Sequence, residues 1–114
     1  MLKLPTINVG VEEVIGTLNG ENVYRKRYMA DNVTITTDTQ LDANINYSTV
    51  AQVLSLTGSI RCISGTSTFI FTNPFPYTTT SRVYTDINNS ALRLMVTGYT
   101  IKGYFIEVVY TKAS

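Results

Sequence analysis

The closing stretch, residues 90–112, constrains this chain most, because it reads as two β-strands joined by a short turn. Residues 92–97 alternate between aliphatic and other side chains, which is the two-residue period of a pleated strand. Residues 104–111 are apolar on both faces, and Gly98 and Gly103 are expected to bracket the connection. A strand of a small antiparallel sheet normally has one wet face. Residues 104–111 therefore predict either the central strand of a sandwich or a strand whose outer face meets another subunit.

The dipeptide Asn19-Gly20 is the clearest turn signal in the rest of the chain. Both central residues of a type I′ hairpin turn need a positive φ, which Asn and Gly adopt readily. Further β-rich runs separated by turn residues bring the total to about eight to ten short strands. The predicted fold is all-β: one antiparallel β-sandwich, or jelly-roll-like, domain over residues 12–114, with residues 1–11 as an N-terminal arm or tether.

The middle of the chain gives weaker local signals. Residues 30–32 are predicted to form a turn, and the Thr-rich residues 33–37 a short strand at an exposed sheet edge. Residues 38–47 fit either a loop or an irregular strand.

Residues 49–63 predict one long strand or a strand pair. The even-numbered side chains, Leu54 among them, are expected to point inward. Gly58 would mark a bulge or a close approach of two backbones. Cys62 is expected to be a small buried hydrophobe.

Composition excludes several function classes. The chain has no histidine and one cysteine, so catalytic triads, zinc sites and an internal disulfide are ruled out. A net charge of +1 and the absence of long basic runs give no sign of nucleic-acid binding. A glycosidase-like carboxylate pair stays possible in principle. We expect a protein that is not an enzyme and that binds no metal and no cofactor.

The sequence gives no indication of a targeting signal or a membrane span. The N-terminal residues show no apolar segment of signal-peptide length, and no run approaches the roughly 20 apolar residues of a membrane span. We expect synthesis in a cytoplasm and no membrane insertion.

The eight tyrosines indicate a binding surface, since each ring offers an apolar face and one hydroxyl. The candidate ligand-binding residues are Phe75 and Tyr77 in a proline-containing loop, Tyr99 in the last turn, and Arg82. Tyr47, in the ambiguous residues 38–47, is a further candidate. Ordinary packing over the ends of the sheets is the alternative for each ring.

Oligomerisation is expected from the two-faced apolar strand near the C-terminus. Phe105 and Val109 lie opposite the face that carries Tyr104, Ile106 and Val108, so they are the candidate oligomer-interface residues.

Four stretches resemble short β domains of phages and prophages of Gram-positive and gut bacteria. Residues 16–26 resemble an opening of the type W-x-x-G-K-P-[VI]-Y-R-K, and residues 94–112 are similar to the ending Y-V-T-L-E-Y-T-K. Residues 53–58 look like V-V-S-I-S-G, and residues 73–77 like a proline-containing P-L-P-F stretch. The order is the same over nearly the whole chain.

This resemblance implies a β-sandwich head at the end of a virion fibre, or a related structural module, with a trimer favoured. The first hypothesis is a tail-fibre or head-fibre tip that binds a host surface receptor or glycan. The alternative is a purely structural decoration or adaptor subunit that meets other virion proteins through the N-terminal arm. A stand-alone carbohydrate-binding module is the third. In the first two cases the expected location is the virion.

Overall fold

The structure, a computed structural model, describes residues 9–73 and 75–113 of the chain. It contains eight strands: β1 Glu13–Leu18, β2 Glu21–Ile35, β3 Thr39–Asp42, β4 Val50–Ser64, β5 Ser67–Thr72, β6 Arg82–Ile87, β7 Leu92–Thr97 and β8 Thr100–Lys112. No helix occurs in the described ranges, so none of them holds a helix that could cross a membrane. The strand-rich composition thus gives the predicted all-β class.

The strands form two sheets with antiparallel neighbours throughout. The larger has the order β1-β2-β8-β4-β5, and the smaller has the order β3-β7-β6. The predicted central strand is confirmed, because β8 pairs with β2 on one side and with β4 on the other. The inner face of β8 is covered by the core, which accounts for the apolar side chains that point inward from this strand.

One core lies between the two sheets. It combines Tyr28, Ile60, Ile106, Val108 and Tyr110 from the five-stranded sheet with Val83, Leu92, Leu94 and Val96 from the three-stranded sheet. The thinnest dimension is 21 Å, which fits two sheets stacked about 10 Å apart with their outer side chains. The arrangement is sandwich-like. Cys62 is fully buried in this core, as predicted.

Several local predictions are confirmed. Asn19 and Gly20 have φ values of 51° and 83°, so both occupy the left-handed region that a two-residue hairpin turn requires. The ambiguous residues 38–47 contain β3 and a turn that buries Ile45. Residues 1–8 of the predicted arm lie outside the described residues. Its end is held to β2, since the amide of Gly10 donates to the carbonyl of Arg27 at 2.7 Å.

The predicted turn at residues 30–32 is wrong, because β2 continues through it to Ile35. Asn32 has a φ of 56°, and the ladder to β8 shifts register between Asp31 and Ile35. A bulge absorbs the turn-forming residues while the strand goes on. The strand predicted over residues 33–37 is found only in part and not as a separate element, since residues 33–35 are the end of β2 and Ile35 pairs with Ile101 of the central strand.

The predicted inward face of β4 is wrong at Gln52 and Leu54, although Val50 at the start of the strand does pack against the core. Leu54 is 43% exposed, whereas Val53 packs against the core. The register shifts between Val53 and Ser55, so Leu54 is the extra residue of a bulge and the parity of inward side chains changes there. Beyond Leu56 the even-numbered residues Ile60 and Cys62 do point inward.

The two strands of residues 90–112 do not form the expected hairpin, because β7 pairs with β3 and β6 in the smaller sheet while β8 lies in the larger one. Their connection therefore crosses between the sheets, and one of its two glycines also differs in position from the prediction. Gly98 lies in the β7–β8 turn with a φ of 83°, as expected. Gly103 lies inside β8, not in the turn. A Cβ there would sit 3.4 Å from Arg61 Nη2 and from Asp31 Oδ1. The ion pair between those two side chains, 2.8 Å long, thus crosses over the central strand at its glycine.

Candidate functional site

The structure brings two of the four predicted ligand-binding residues together. Tyr77 forms an isolated antiparallel bridge with Arg82, and the Arg82 guanidinium carbon lies 5.9 Å from the centre of the Tyr77 ring. The Tyr84 ring lies edge-on to Tyr77, with centroids 5.4 Å apart. Arg82 and Tyr84 alternate with the buried Val83, so they lie on the outer face of the three-stranded sheet. We call Tyr77, Arg82 and Tyr84 the tyrosine–arginine patch.

The loop that carries Tyr77 is tied down on both sides. The amide of Thr78 donates to the carbonyl of Ser81 at 2.8 Å, and the amide of Ser81 donates to Thr78 Oγ1 at 2.9 Å. The amide of Val83 donates to the carbonyl of Pro76 at 3.0 Å. These bonds fix the backbone of the loop, and 63% of Tyr77 stays exposed, so its aromatic surface is open to a ligand.

The other two predicted residues do not join this patch. Phe75 packs against the core as a partly buried residue. Tyr99 lies edge-on to Phe69 and Phe71, with centroid distances of 6.0 and 5.3 Å. For both rings the packing alternative holds. The four candidate residues therefore do not come together in one place.

The two predicted interface residues share the outer face of the five-stranded sheet but have different surroundings. Phe105 is half-buried in a groove of about 380 Å³ that Met29, Ile70 and the stem of Arg61 also line. We call this the outer groove. Val109 pairs with Arg25, whose ion pair with Glu13 is 3.5 Å long, so that part of the face is charged. The apolar half of this face is centred on Phe105.

A polar cleft that the sequence did not predict lies at one end of the molecule. Its volume is about 420 Å³, and Glu12, Lys26, Tyr110 and Lys112 contribute to its lining. The Tyr110 hydroxyl donates to Glu12 Oε1 at 2.5 Å, and Lys112 Nζ lies 2.6 Å from Glu12 Oε2. Tyr110 and Glu12 are 98 positions apart in the chain, so no sequence spacing could have connected them.

A second part of this network joins the two sheets. Lys26 Nζ and the Tyr28 hydroxyl, both on β2, donate to Asp42 Oδ2 on β3 at 3.0 and 2.6 Å. The shared parity of Lys26 and Tyr28 on β2 was visible in the sequence. Their acceptor was not, because β3 belongs to the other sheet.

The network keeps its carboxylates ionised. Burial would raise the pKa of Asp42, but hydrogen bonds from Tyr28 and Lys26 outweigh that effect and lower it. The pKa of Glu12 is lowered in the same way, against its burial, by hydrogen bonds from Lys112 and Tyr110. Burial, and then the adjacent carboxylates, raise the pKa of both tyrosines. At neutral pH the network holds two carboxylates and two neutral phenols.

This distribution bears on the glycosidase hypothesis. Such enzymes need one carboxylic acid whose pKa is raised beside one that stays ionised. Glu12 and Asp42 both have lowered pKa values, so this pair offers no proton donor of that kind. Across the described part of the chain, no group of three His, Cys, Asp or Glu side chains is placed to hold a metal ion.

Comparison with known proteins gives no family that matches the chain, no similar curated protein and no similar solved structure. The function has to be inferred from the residues themselves.

Proposed function

We propose that this chain is a non-enzymatic β domain of a phage virion, a fibre head or tip that binds a host surface glycan or protein. The four stretches that resemble phage and prophage β domains support the virion origin. The observation that carries the binding role is the tyrosine–arginine patch, where an exposed ring lies beside a guanidinium group.

The chemistry of the patch suits a sugar or a polar protein surface. The Tyr77 ring can stack on the apolar face of a pyranose, and its hydroxyl can donate or accept a hydrogen bond. Arg82 can donate several hydrogen bonds in one plane, and its Nε is buried without a partner within the described chain. Together they offer both an apolar contact and directed polar contacts.

The strand connections support the finer assignment to a jelly-roll-like sandwich. The chain crosses between sheets from β2 to β3 and back to β4, and β7 and β8 then return beside β3 and between β2 and β4. Such returns of late strands to early ones characterise Greek-key and jelly-roll domains.

The test is binding of the purified chain to host cells and to a glycan array, comparing Tyr77→Ala with Tyr47→Ala. Tyr47, the further candidate from the sequence, lies outside the patch, since its amide donates to the carbonyl of Asn88 beyond the end of β6 opposite Arg82. It is a matched control because it is 68% exposed. We expect Tyr77→Ala to weaken binding at least tenfold and Tyr47→Ala to change it little. Equal binding by the three proteins would exclude the patch as the receptor site.

A structural decoration or adaptor subunit is the second candidate, and the outer groove favours it. Met29 and Ile70 are 48% and 71% exposed beside Phe105, and surface of this kind commonly serves assembly. In this case the chain would bind another virion protein and show no affinity for host cells. Co-purification with virion proteins and a failed host-cell screen would favour this function.

A further inference from the structure

The five-stranded sheet ends in two edge strands, β1 and β5, that differ in how they are protected. Neither has a partner on its outer edge among residues 9–73 and 75–113. Natural edge strands are normally shielded by charges, prolines or bulges, because a bare edge invites another strand to pair. β1 carries Glu13 and a register shift between Val14 and Gly16.

β5 has none of these devices. Its six residues contain no charge, no proline and no glycine, and its register with β4 is unbroken from Thr72 to Ser67. Ile70 at its middle is 71% exposed, the highest value among the exposed large hydrophobic residues. An uncharged, regular and apolar edge can add a further strand with backbone hydrogen bonds along its length.

The sequence of β5 specifies which strand fits. Residues 68–72 read Thr-Phe-Ile-Phe-Thr, which is the same in both directions. When two such strands run antiparallel about a two-fold axis at Ile70, Ile70 faces Ile70, each Phe69 faces Phe71, and each Thr68 faces Thr72. Aromatic pairs and threonine pairs are among the stabilising cross-strand pairs of antiparallel sheets.

We propose that β5 pairs antiparallel with β5 of a second copy of this chain, joining two five-stranded sheets into one ten-stranded sheet. Phe69 and Phe71 are already stacked 5.6 Å apart and supported by Tyr99, so the contributing rings are ordered. On the opposite face Ile70 lines the outer groove with Phe105, so the two grooves become continuous across the axis.

Strand direction favours this two-fold contact over a head-to-tail one. Five strands that alternate in direction leave β1 and β5 pointing the same way. If one copy is related to the next by rotation about an axis along the strands, β5 of the first meets β1 of the second, and these two strands run parallel. A parallel ladder is slightly less stable per residue than an antiparallel one. A trimer built on one continuous sheet would need that parallel contact. The inference does not depend on glycan binding, since it rests on different residues.

Cysteine cross-linking tests the contact and its register. Residues that face each other in an antiparallel ladder have Cα atoms about 4.5–5.5 Å apart, within reach of a disulfide. We expect Ile70→Cys to form a disulfide-linked dimer under mild oxidation, while the buried Cys62 stays reduced. Thr68→Cys alone should not cross-link, but its mixture with Thr72→Cys should. Cross-linking of Thr68→Cys with itself would instead indicate parallel, in-register pairing and overturn the proposal.

Solution mass gives an independent measurement. We expect the unmodified chain to have twice the mass of the 12.7 kDa monomer by light scattering, and Ile70→Lys to reduce it to one chain. Val14→Lys is the matched control, since Val14 is 58% exposed on the opposite edge, and should leave the mass unchanged. A monomer, or a trimer that Ile70→Lys does not alter, would overturn the proposal. Either result leaves the Tyr77 binding test unaffected.

Discussion

At the scale of single residues, the ion pair between Lys26 and Asp42 stands out by its burial. Its side chains are only 12% and 11% exposed, the lowest pair of values among the ion pairs of the described residues. The Tyr28 hydroxyl shares the same carboxylate oxygen at 2.6 Å. Since β2 and β3 belong to different sheets, this carboxylate fastens one sheet to the other. Removing one partner of a buried pair leaves an uncompensated charge, which costs about 3–5 kcal/mol.

The lowered pKa of Asp42 predicts a loss of stability in acid. A carboxyl group whose pKa is lower in the folded than in the unfolded chain stabilises the fold above its ordinary pKa of 3.8, and this contribution is lost as the pH falls through the folded value. We expect Asp42→Asn to lower the free energy of unfolding at pH 7 by about 3 kcal/mol or more. The difference from the unmodified chain should shrink below about pH 4.

Urea unfolding at a series of pH values measures this effect. Asp31→Asn is the control, because Asp31 forms an ion pair whose carboxylate side chain is 73% exposed, and such pairs contribute about 0–1 kcal/mol. A pH-independent difference for Asp42→Asn would show that the carboxylate charge is not what stabilises the fold.

At the scale of elements, the pairing of β4 with β8 depends on a close approach at Gly58. A Cβ at this position would lie 2.0 Å from the carbonyl oxygen of Phe105 and 3.0 Å from the Cα of Ile106. Gly58 also has a φ of 156°, which residues with a side chain rarely adopt. The absence of a side chain at Gly58 therefore allows β4 and β8, which form the longest ladder described, to pair closely.

We expect Gly58→Ala to lower the free energy of unfolding by about 1–3 kcal/mol or more, because β4 or β8 must shift to admit the methyl group. Gly16→Ala is the matched control. A Cβ at Gly16 meets nothing within 4 Å, and alanine in a strand is about 0.5–1 kcal/mol better than glycine. Thermal unfolding of both variants measures the effect. Similar melting temperatures would contradict the close approach.

At the scale of the whole molecule, the two sheets are unequal, with five strands facing three. Exposed side chains predominate in both edge strands of the larger sheet, β1 and β5. The outer face of that sheet also carries the outer groove. Most of the exposed large apolar side chains of the strands therefore lie on the larger sheet, which is the arrangement expected of a chain that assembles with others.

We expect Phe105→Glu to dissociate the oligomer that the apolar outer face of β8 predicts, while the domain stays folded. The reason is that Phe105 is half-buried on this outer face and is not part of the core. Thr57→Lys is the control, since Thr57 is exposed on the same face outside the groove and pairs with Glu107, so the added charge faces an opposite one. Light scattering gives the mass, and circular dichroism gives the melting temperature. An unchanged mass, or an unfolded variant, would remove Phe105 from the interface.

Sequence reasoning succeeded where the signals are local. The period-two alternation of residues 92–97, the Asn19-Gly20 turn and the apolar run of β8 each depend on neighbours within a few positions. They therefore predicted the strands, the β1–β2 hairpin and, as one of two alternatives, the central position of β8. The expected pairing of β7 with β8 failed, because the two strands belong to different sheets. The absence of histidine likewise excluded several kinds of catalytic site from composition alone.

The tertiary structure decided what depends on distant partners. The bulges at Asn32 and Leu54 appear only when the ladder to β8 is known, and they overturned a predicted turn and a predicted inward face. The same holds for the site. Tyr77 meets Arg82 because a loop returns to β6, while Tyr99 is drawn to the Phe69–Phe71 stack and the Lys26–Asp42 pair spans two sheets. Side chains far apart in the chain meet only through strand order, which sequence periodicity does not encode.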